Sequence, residues 1–356
     1  MAYRIAIPAA GESFSAEPGE TLLAAAERAG VRLPHDCQAG GCGTCRIRLL
    51  DGAVTYDEFP FGLTPEEEAE GYALACQGVP AGDLVIAVPS VADDLPEPQR
   101  HAATVTAVEP ACDGVTRLTL ALPDGVPFGY WAGQYLNIRL EDGEPRSFSM
   151  ASAPARGVLD VHVRRLPGGR FTDGLLPRLK PGDRLEVDLP LGSFVYREAD
   201  YRPLLMVATG TGIAPVRAIL DALKDDPDAP PIDLYWGMRT EADLYLDAEL
   251  RSWEAAFAEF RYVPVLSRGS ALWGGRRGYV QDAVAADFDD LSEHAIYLCG
   301  SPAMIAEAKR VFLDRGASAQ HIYAEGFTTA ARPAIAADSV MHGGWAASAP
   351  RPGNGA

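Results

Sequence analysis

Cys37-Gln38-Ala39-Gly40-Gly41-Cys42-Gly43-Thr44-Cys45 is the stretch on which the reading of this chain turns. Three cysteines stand in C-x4-C-x2-C order, and a fourth, Cys76, follows thirty-one positions later. That is the plant-type [2Fe–2S] ligand spacing, in which one loop supplies three thiolates and a distant segment the fourth. Gly40, Gly41 and Gly43 let the loop wrap tightly and aim backbone N–H groups at the sulfurs. Structural zinc is the competing reading, but it normally uses two C-x2-4-C knuckles and only one is present. A disulfide pair is the remaining alternative. The chain opens Met1-Ala2-Tyr3-Arg4-Ile5 without the basic and apolar regions of a secretory signal. In such a chain, clustered cysteines mean metal or redox chemistry more often than disulfides. Cys37, Cys42, Cys45 and Cys76 are therefore expected to hold iron, while Cys112 and Cys299 stand apart.

The sequence around this loop predicts a first unit over residues 1–90. Tyr3–Ile7 alternates like a strand, with a hairpin partner at Ser13-Phe14-Ser15. Thr21 leads an apolar run that ends at Gly30, which reads as a helix with a cap in front and glycine behind. Thr64-Pro65-Glu66-Glu67 is a capping box that opens a second helix. Leu84–Val88 reads as a closing strand. A polar, proline-broken linker is expected over 91–100.

Outside that unit the rhythm changes twice. Six short β-like runs between residues 101 and 197 suggest a small antiparallel barrel. From 198 to 327, apolar runs at Leu204–Ala208, Ile232–Trp236, Tyr262–Leu266 and Ile296–Cys299 alternate with helical stretches, the pattern of a doubly wound parallel sheet. Residues 328–356 hold 9 Ala, 4 Gly and 3 Pro, and are expected to be a disordered tail. The expected fold class is thus multidomain, α+β followed by α/β.

Composition narrows the partners. Hydrophobic residues at 47% and charged residues at 22% describe a globular chain. A net charge of −18 argues against a nucleic-acid partner. No run approaches the roughly 18 apolar residues of a membrane span, so a cytoplasmic protein with no membrane partner is expected. Residues 1–90 carry 5 basic and 13 acidic side chains, and such a module is steered toward a basic surface on another protein.

Four further stretches carry chemistry. Arg146-Ser147-Phe148-Ser149 lies in a strand-like run and offers a cation, an aromatic surface and a hydroxyl, the groups that hold a flavin's pyrophosphate, ring and N5. Gly168-Gly169-Arg170-Phe171-Thr172 reads as a glycine turn entering a helix, suited to phosphate. Thr209-Gly210-Thr211-Gly212-Ile213-Ala214-Pro215 joins a strand to a helix and reads as a nucleotide phosphate site, although it lacks the third glycine of G-x-G-x-x-G. Cys299-Gly300 ends a later strand, where doubly wound sheets bind ligands.

In this order the motifs resemble the NADH-dependent reductase components of bacterial ring-hydroxylating, Rieske-type oxygenases. In that family a plant-type ferredoxin precedes a ferredoxin–NADP reductase-like module. Soluble methane and phenol monooxygenase reductases are similar. The resemblance covers about residues 1–327, and Arg146–Ala151 with His162–Gly169 looks most like the benzoate and terephthalate dioxygenase type. It implies a β-grasp-like ferredoxin domain, an FAD barrel and an NAD domain. It also implies that Arg146, Ser147, Phe148 and Ser149 hold FAD, with Ser149 facing N5. His162, Val163, Arg164, Gly168, Gly169 and Thr172 would line its ribityl and pyrophosphate parts. Gly210, Thr211, Gly212 and Pro215 would receive the nicotinamide nucleotide, with Cys299 and Gly300 at the hydride-transfer point and Phe327 over the flavin. Ser149 and Cys299 are the expected catalytic residues. Many relatives carry Tyr where Phe148 stands, and many end near Phe327, whereas this chain continues for 29 residues.

Electron counting gives the expected activity. NADH delivers two electrons together, a [2Fe–2S] cluster accepts one, and a flavin converts between them. The order NADH, FAD, cluster, terminal oxygenase or hydroxylase follows. Glu241 and Asp243, after Trp236-Gly237-Met238-Arg239, favour NADH by repelling a 2′-phosphate, while Arg239 argues for NADPH. Reductases of deoxysugar dehydrases or diiron hydroxylases share these residues. An iron–sulfur redox sensor is the non-enzymatic alternative.

Overall fold

The computed structural model describes residues 2–35, 38, 40–41, 43–60, 62–88, 96–123, 125, 129–154 and 158–327. Cys37 and Cys42, residues 91–95 of the expected linker and the expected tail at 328–356 lie outside the described residues.

Period-2 alternation near the N-terminus forms β1 (Tyr3–Ile7) and β2 (Glu12–Ala16), paired antiparallel with Ile5 opposite Phe14. Both side chains enter a common core with Leu22, Ile47, Leu74 and Ile86. Helix α1 (Leu22–Arg28) starts where the Thr21 side chain accepts from the Ala24 N–H, and Gly30 follows in the left-handed region. Next come β3 (Arg46–Asp51), β4 (Val54–Thr55), α2 (Pro65–Ala69), β5 (Tyr72–Leu74), β6 (Val79–Pro80) and β7 (Leu84–Ala87). The capping box of α2 is formed in full: Glu67 N donates to Thr64 Oγ1 at 3.2 Å and Thr64 N to a Glu67 carboxylate oxygen at 2.8 Å. The mixed sheet runs β2-β1-β7-β3-β5. Because Arg46 pairs with Leu74, the loop that precedes β3 and the segment that follows β5 meet at one end of it.

The second sheet is antiparallel, in the order β11-β10-β13-β8-β9-β12. Its strands are β8 (Gln99–Cys112), β9 (Val115–Ala121), β10 (Tyr135–Arg139), β11 (Pro145–Ser149), β12 (Leu159–Arg164) and β13 (Arg184–Leu191). β8 begins inside the expected linker, because Arg100 pairs with Asp188 on β13 and extends the ladder. The two outer strands are joined by a bridge between Met150 and Val161 and by Ala151 N donating to Asp160 O at 2.7 Å. The helix expected after Gly168-Gly169 is instead a short π-type turn, Arg170–Leu175, followed by a 3-10 turn, Leu176–Arg178. Gly174 and Pro177 both disfavour a continuous α-helix there.

The third sheet is wholly parallel. Its elements are β14 (Leu204–Thr209), α3 (Ile213–Leu223), β15 (Ile232–Met238), α4 (Asp247–Ser252), β16 (Phe260–Leu266), β17 (Arg276–Arg277), α5 (Val280–Asp287), β18 (Ala295–Gly300), α6 (Pro302–Leu313) and β19 (Ile322–Gly326). The order is β17-β16-β15-β14-β18-β19, so the winding direction reverses beside β14. β14 is apolar from Leu204 to Ala208 because both of its faces are covered. Leu204, Met206 and Ala208 pack with α3 and α4, while Leu205 and Val207 pack with α5 and α6. Ligands in such sheets sit beyond the carboxyl ends of the strands at the reversal point, which places the ends of β14 and β18 at the centre of interest.

Candidate functional site

The carboxyl ends of β18 and β19 meet the antiparallel sheet at Ser149. Ser149 Oγ donates to the Glu325 carboxylate, 3.2 and 3.3 Å from its two oxygens, and Cys299 Sγ lies 3.8 Å from Glu325 Oε2. All three side chains are buried. Burial pushes the Cys299 thiol well above its ordinary range, and Glu325 adds to the effect. Cys299 is therefore a protonated, weakly donating thiol, not a thiolate nucleophile. Glu325 was not foreseen as a site residue. The sequence points to Phe327, two positions later, but to nothing at Glu325 itself. Phe327 packs beside the core under β14, and its N–H donates to Gly300 O at 2.8 Å.

The glycines at this junction divide by what surrounds them. A Cβ on Gly300, at φ +151°, would meet Thr209 Oγ1 at 2.1 Å, and one on Gly212 would meet Cys299 O at 2.3 Å. Both are therefore demanded by close packing of the β18 end against the 210–212 turn. Gly210, at φ +58°, faces open space, with Arg164 Nη1 at 4.0 Å as its nearest neighbour. Trp236 Nε1 donates to Gly210 O at 3.0 Å and fixes the turn. Thr211 and Pro215 are buried at the start of α3. A left-handed glycine, an unobstructed turn and a helix N-terminus make an anion cradle here.

β11 and β12 stand at the two ends of the sheet order and meet at the Met150–Val161 bridge. On β11, Arg146 and Phe148 share one strand face, whereas Ser147 and Ser149 share the other. The expected cation, ring and hydroxyl therefore do not all lie on one face. Phe148 packs against Phe171 with ring centroids 5.0 Å apart, Ser147 Oγ donates to Asn137, and Arg146 reaches Glu144 at 3.2 Å. On the β12 side, Val163 points into the sheet's core, so only its backbone is available to a ligand. His162 is turned toward the parallel-sheet unit, with Nδ1 3.1 Å from Tyr245 Oη and the two rings edge to face. Burial depresses the basicity of His162 against the pull of Asp160. Burial also pushes Asp160 upward, but His162 and Arg117 outweigh it and hold that carboxyl at about 2. Arg164 is exposed, and among the described residues it has no ion-pair partner.

The turn expected to take phosphate is already satisfied from within. Gly168 N donates to Asp173 Oδ2 at 3.0 Å, and the Thr172 hydroxyl accepts from Leu166 N at 3.0 Å. A Cβ on Gly169 would meet Thr172 Oγ1 at 2.4 Å. A carboxylate thus stands where the anion was expected. The sequence reading missed it because Asp173 lies five residues downstream of the amide it caps.

Of the four clustered cysteines, Cys45 and Cys76 are described, and both are buried. Ala75 N donates to Cys45 O at 2.9 Å, which brings the two chain segments together. Gln38, Gly40 and Gly43 take left-handed backbone angles around the loop. Gly62 N donates to Gly40 O at 2.7 Å, and a Cβ on Gly62 would fall 2.9 Å from Gly43 N. A Cβ on Gly40 would meet Gln77 and Pro60 side chains at 2.9 Å. A loop of glycines wrapped this closely, with thiols as its donor set, fits an iron–sulfur cluster.

Comparison with known proteins finds three family matches along the chain. The family described as 2Fe-2S iron-sulfur cluster binding domain matches residues 7–81, the oxidoreductase FAD-binding domain residues 102–196, and the oxidoreductase NAD-binding domain residues 206–310. Terephthalate 1,2-dioxygenase reductase component 1 of Comamonas sp is 36% identical, over 92% of this chain and 98% of that one. The CDP-6-deoxy-L-threo-D-glycero-4-hexulose-3-dehydrase reductase of Yersinia pseudotuberculosis is 32% identical, over 92% of this chain and 99% of that one. Among solved structures, the Amycolatopsis cytochrome P450 reductase GcoB matches with a TM-score of 0.68 and 35% identity, over 92% of this chain and 99% of that one. The chain belongs to the family of ferredoxin-fused, ferredoxin–NAD(P) reductase-like oxidoreductases that includes the reductase components of ring-hydroxylating oxygenases.

Proposed function

We propose that this chain takes hydride from NADH at FAD and releases the electrons singly, through a [2Fe–2S] cluster, to the oxygenase component of an aromatic-hydroxylating system. The observation that carries the reading is the Ser149–Glu325–Cys299 contact, which ties the FAD-binding sheet to the carboxyl ends of the NAD-binding strands. FAD supplies the two-to-one electron conversion that neither NADH nor the cluster performs. Ser149, oriented by Glu325, would present its hydroxyl toward the flavin N5, and Cys299, held protonated, would border the nicotinamide without competing as a nucleophile. No other acid–base group is required.

Cys37, Cys42, Cys45 and Cys76 would hold the irons. Arg146, Ser147, Phe148 and Arg164, with the backbones of His162 and Val163, would hold FAD beside β11 and β12. The turn at Gly168, Gly169 and Thr172 would border the pyrophosphate through its fold. Gly210, Thr211, Gly212, Pro215 and Gly300 would seat the nicotinamide nucleotide, with Phe327 over the flavin. Glu241 accepts from Ser270 N and Oγ, which hold its carboxyl below the usual range. A fixed negative charge past β15 favours NADH over NADPH.

We read the three sheets as a β-grasp-like domain (1–90), a small barrel (101–197) and a doubly wound domain (198–327). No helix among the described residues is long and apolar enough to cross a membrane, and a cytoplasmic site of action accords with NADH as donor. Anaerobic titration tests the reading. FAD takes two electrons and the cluster one, so bleaching of both absorbances should end at about 1.5 NADH per chain. An endpoint near one, with the cluster absorbance unchanged, would sink it. Turnover with a Rieske-type oxygenase component, set against a hexulose dehydrase, decides which acceptor is served.

A further inference from the structure

Helix α6 of the NAD-binding unit carries an ammonium where its neighbours are apolar. Lys309 is 2% exposed and sits among Ala308, Val311 and Phe312 on the buried face of the helix. Taking an ammonium out of water costs several kcal/mol unless it is paired and hydrogen-bonded. Lys309 finds both partners across the boundary with the ferredoxin unit: Nζ donates to Gly62 O at 2.9 Å and lies 3.7 Å from Glu67 Oε1. The same carboxylate oxygen is paired with Arg46, whose other nitrogen donates back to Ala319 O of the NAD-binding unit. Glu67 is fixed in turn by its capping bond to Thr64 N.

This group is built around the cluster loop. Arg46 directly follows Cys45, and a Cβ on Gly43, between Cys42 and Cys45, would fall 3.0 Å from Lys309 Nζ. Two cations against one carboxylate leave the group one unit positive. It is also withdrawn from water, where its field is poorly screened.

We propose that Lys309 is a positioning residue for electron transfer. The NAD-binding domain uses it to place a buried positive charge against the cluster loop, stabilising the reduced cluster and raising its potential relative to the flavin. The inference rests on the assignment of the [2Fe–2S] centre to the cysteine loop. The step it biases moves one electron from reduced FAD to the oxidised cluster, with no bond made and no proton carried to the iron. The cluster becomes one unit more negative, and that added charge is what Lys309 meets. Net charge near the sulfurs is a recognised determinant of cluster potential. By linkage, reduction of the cluster tightens the contact between the two domains by the same factor.

The test is a potentiometric titration of the full-length holoprotein, with the reduced cluster followed by electron paramagnetic resonance. Lys309→Met should shift the one-electron equilibrium about tenfold toward the oxidised cluster, about 59 mV. Lys309→Arg should restore most of it. Glu67→Gln removes a negative charge from the same contact and should shift the equilibrium in the opposite direction. Mere loosening of the domain contact would move both neutralising variants the same way, and that result, or no shift in either, overturns the proposal. If Lys309→Met does not load its cluster, the sign of the Glu67→Gln shift alone decides. A wild-type holoprotein without a [2Fe–2S] signal would remove the cluster assignment itself.

Discussion

Ser149 and Glu325 are separated by 176 residues, yet the serine hydroxyl lies 3.2 Å from one carboxylate oxygen and 3.3 Å from the other. This hydrogen bond joins the end of β11 to β19, the last strand of the parallel sheet. It makes the hydroxyl nominated for flavin chemistry dependent on a residue in another domain. A hydrogen bond to a charged group is worth about 1.5–3 kcal/mol, which converts to roughly 10- to 100-fold in rate. Ser149→Ala should slow flavin reduction in anaerobic stopped flow by that factor. Glu325→Gln, which keeps an acceptor, should lose less than Glu325→Ala. Equal losses would show that the carboxylate charge, not orientation of the hydroxyl, matters.

Cys76 stands after β5, far in sequence from the cysteine loop but joined to it through the Ala75–Cys45 bond. Cys76→Ser should abolish NADH-driven cytochrome c reduction while leaving direct reduction of ferricyanide at the flavin within about twofold. Retention of full cytochrome c activity would mean that electrons leave from the flavin.

Gly212 and Gly210 lie two residues apart and should respond oppositely to alanine. Gly212→Ala forces a Cβ to 2.3 Å from Cys299 O and should destabilise the fold by about 1–3 kcal/mol, read as a lowered Tm. Gly210→Ala meets no such wall, but its left-handed backbone costs about 1 kcal/mol. Its larger effect should be a raised KM for NADH, because the new methyl faces the open turn.

The Asp160–His162 pair predicts how acid unfolds the protein. Asp160 is held at about 2 in the fold, below the ordinary aspartate value of 3.8. Its stabilisation is complete above about 3.8 and is lost as pH falls toward 2. His162 is also depressed, by burial. The unfolded chain therefore binds its proton first, and the fold loses stability as pH falls below about 6.5. Tm measured from pH 8 to 4 should decline below 6.5 in the wild type. The decline should flatten in His162→Gln, and an unchanged slope would assign it to other groups.

Local signals survived folding where short-range chemistry decides the outcome. Thr21 caps α1, the Thr64–Glu67 box opens α2, and the strand read from alternation at Tyr3–Ile7 appears with the same limits. The reading was incomplete where a residue's partner is remote in sequence: His162 turns toward Tyr245, and Gly212 packs against Cys299. Nothing in the sequence near those residues announces the partner.

By itself, the sequence determined the chemistry: cysteine spacing names a cluster, and strand–glycine–helix order names a nucleotide site, because both depend on residues a few positions apart. Only the tertiary structure decided how these parts communicate. Ser149 reaching Glu325, and Lys309 reaching Gly62 and Glu67, depend on which strand ends the sheets bring together. The burial that makes those contacts strong exists only once the domains have packed.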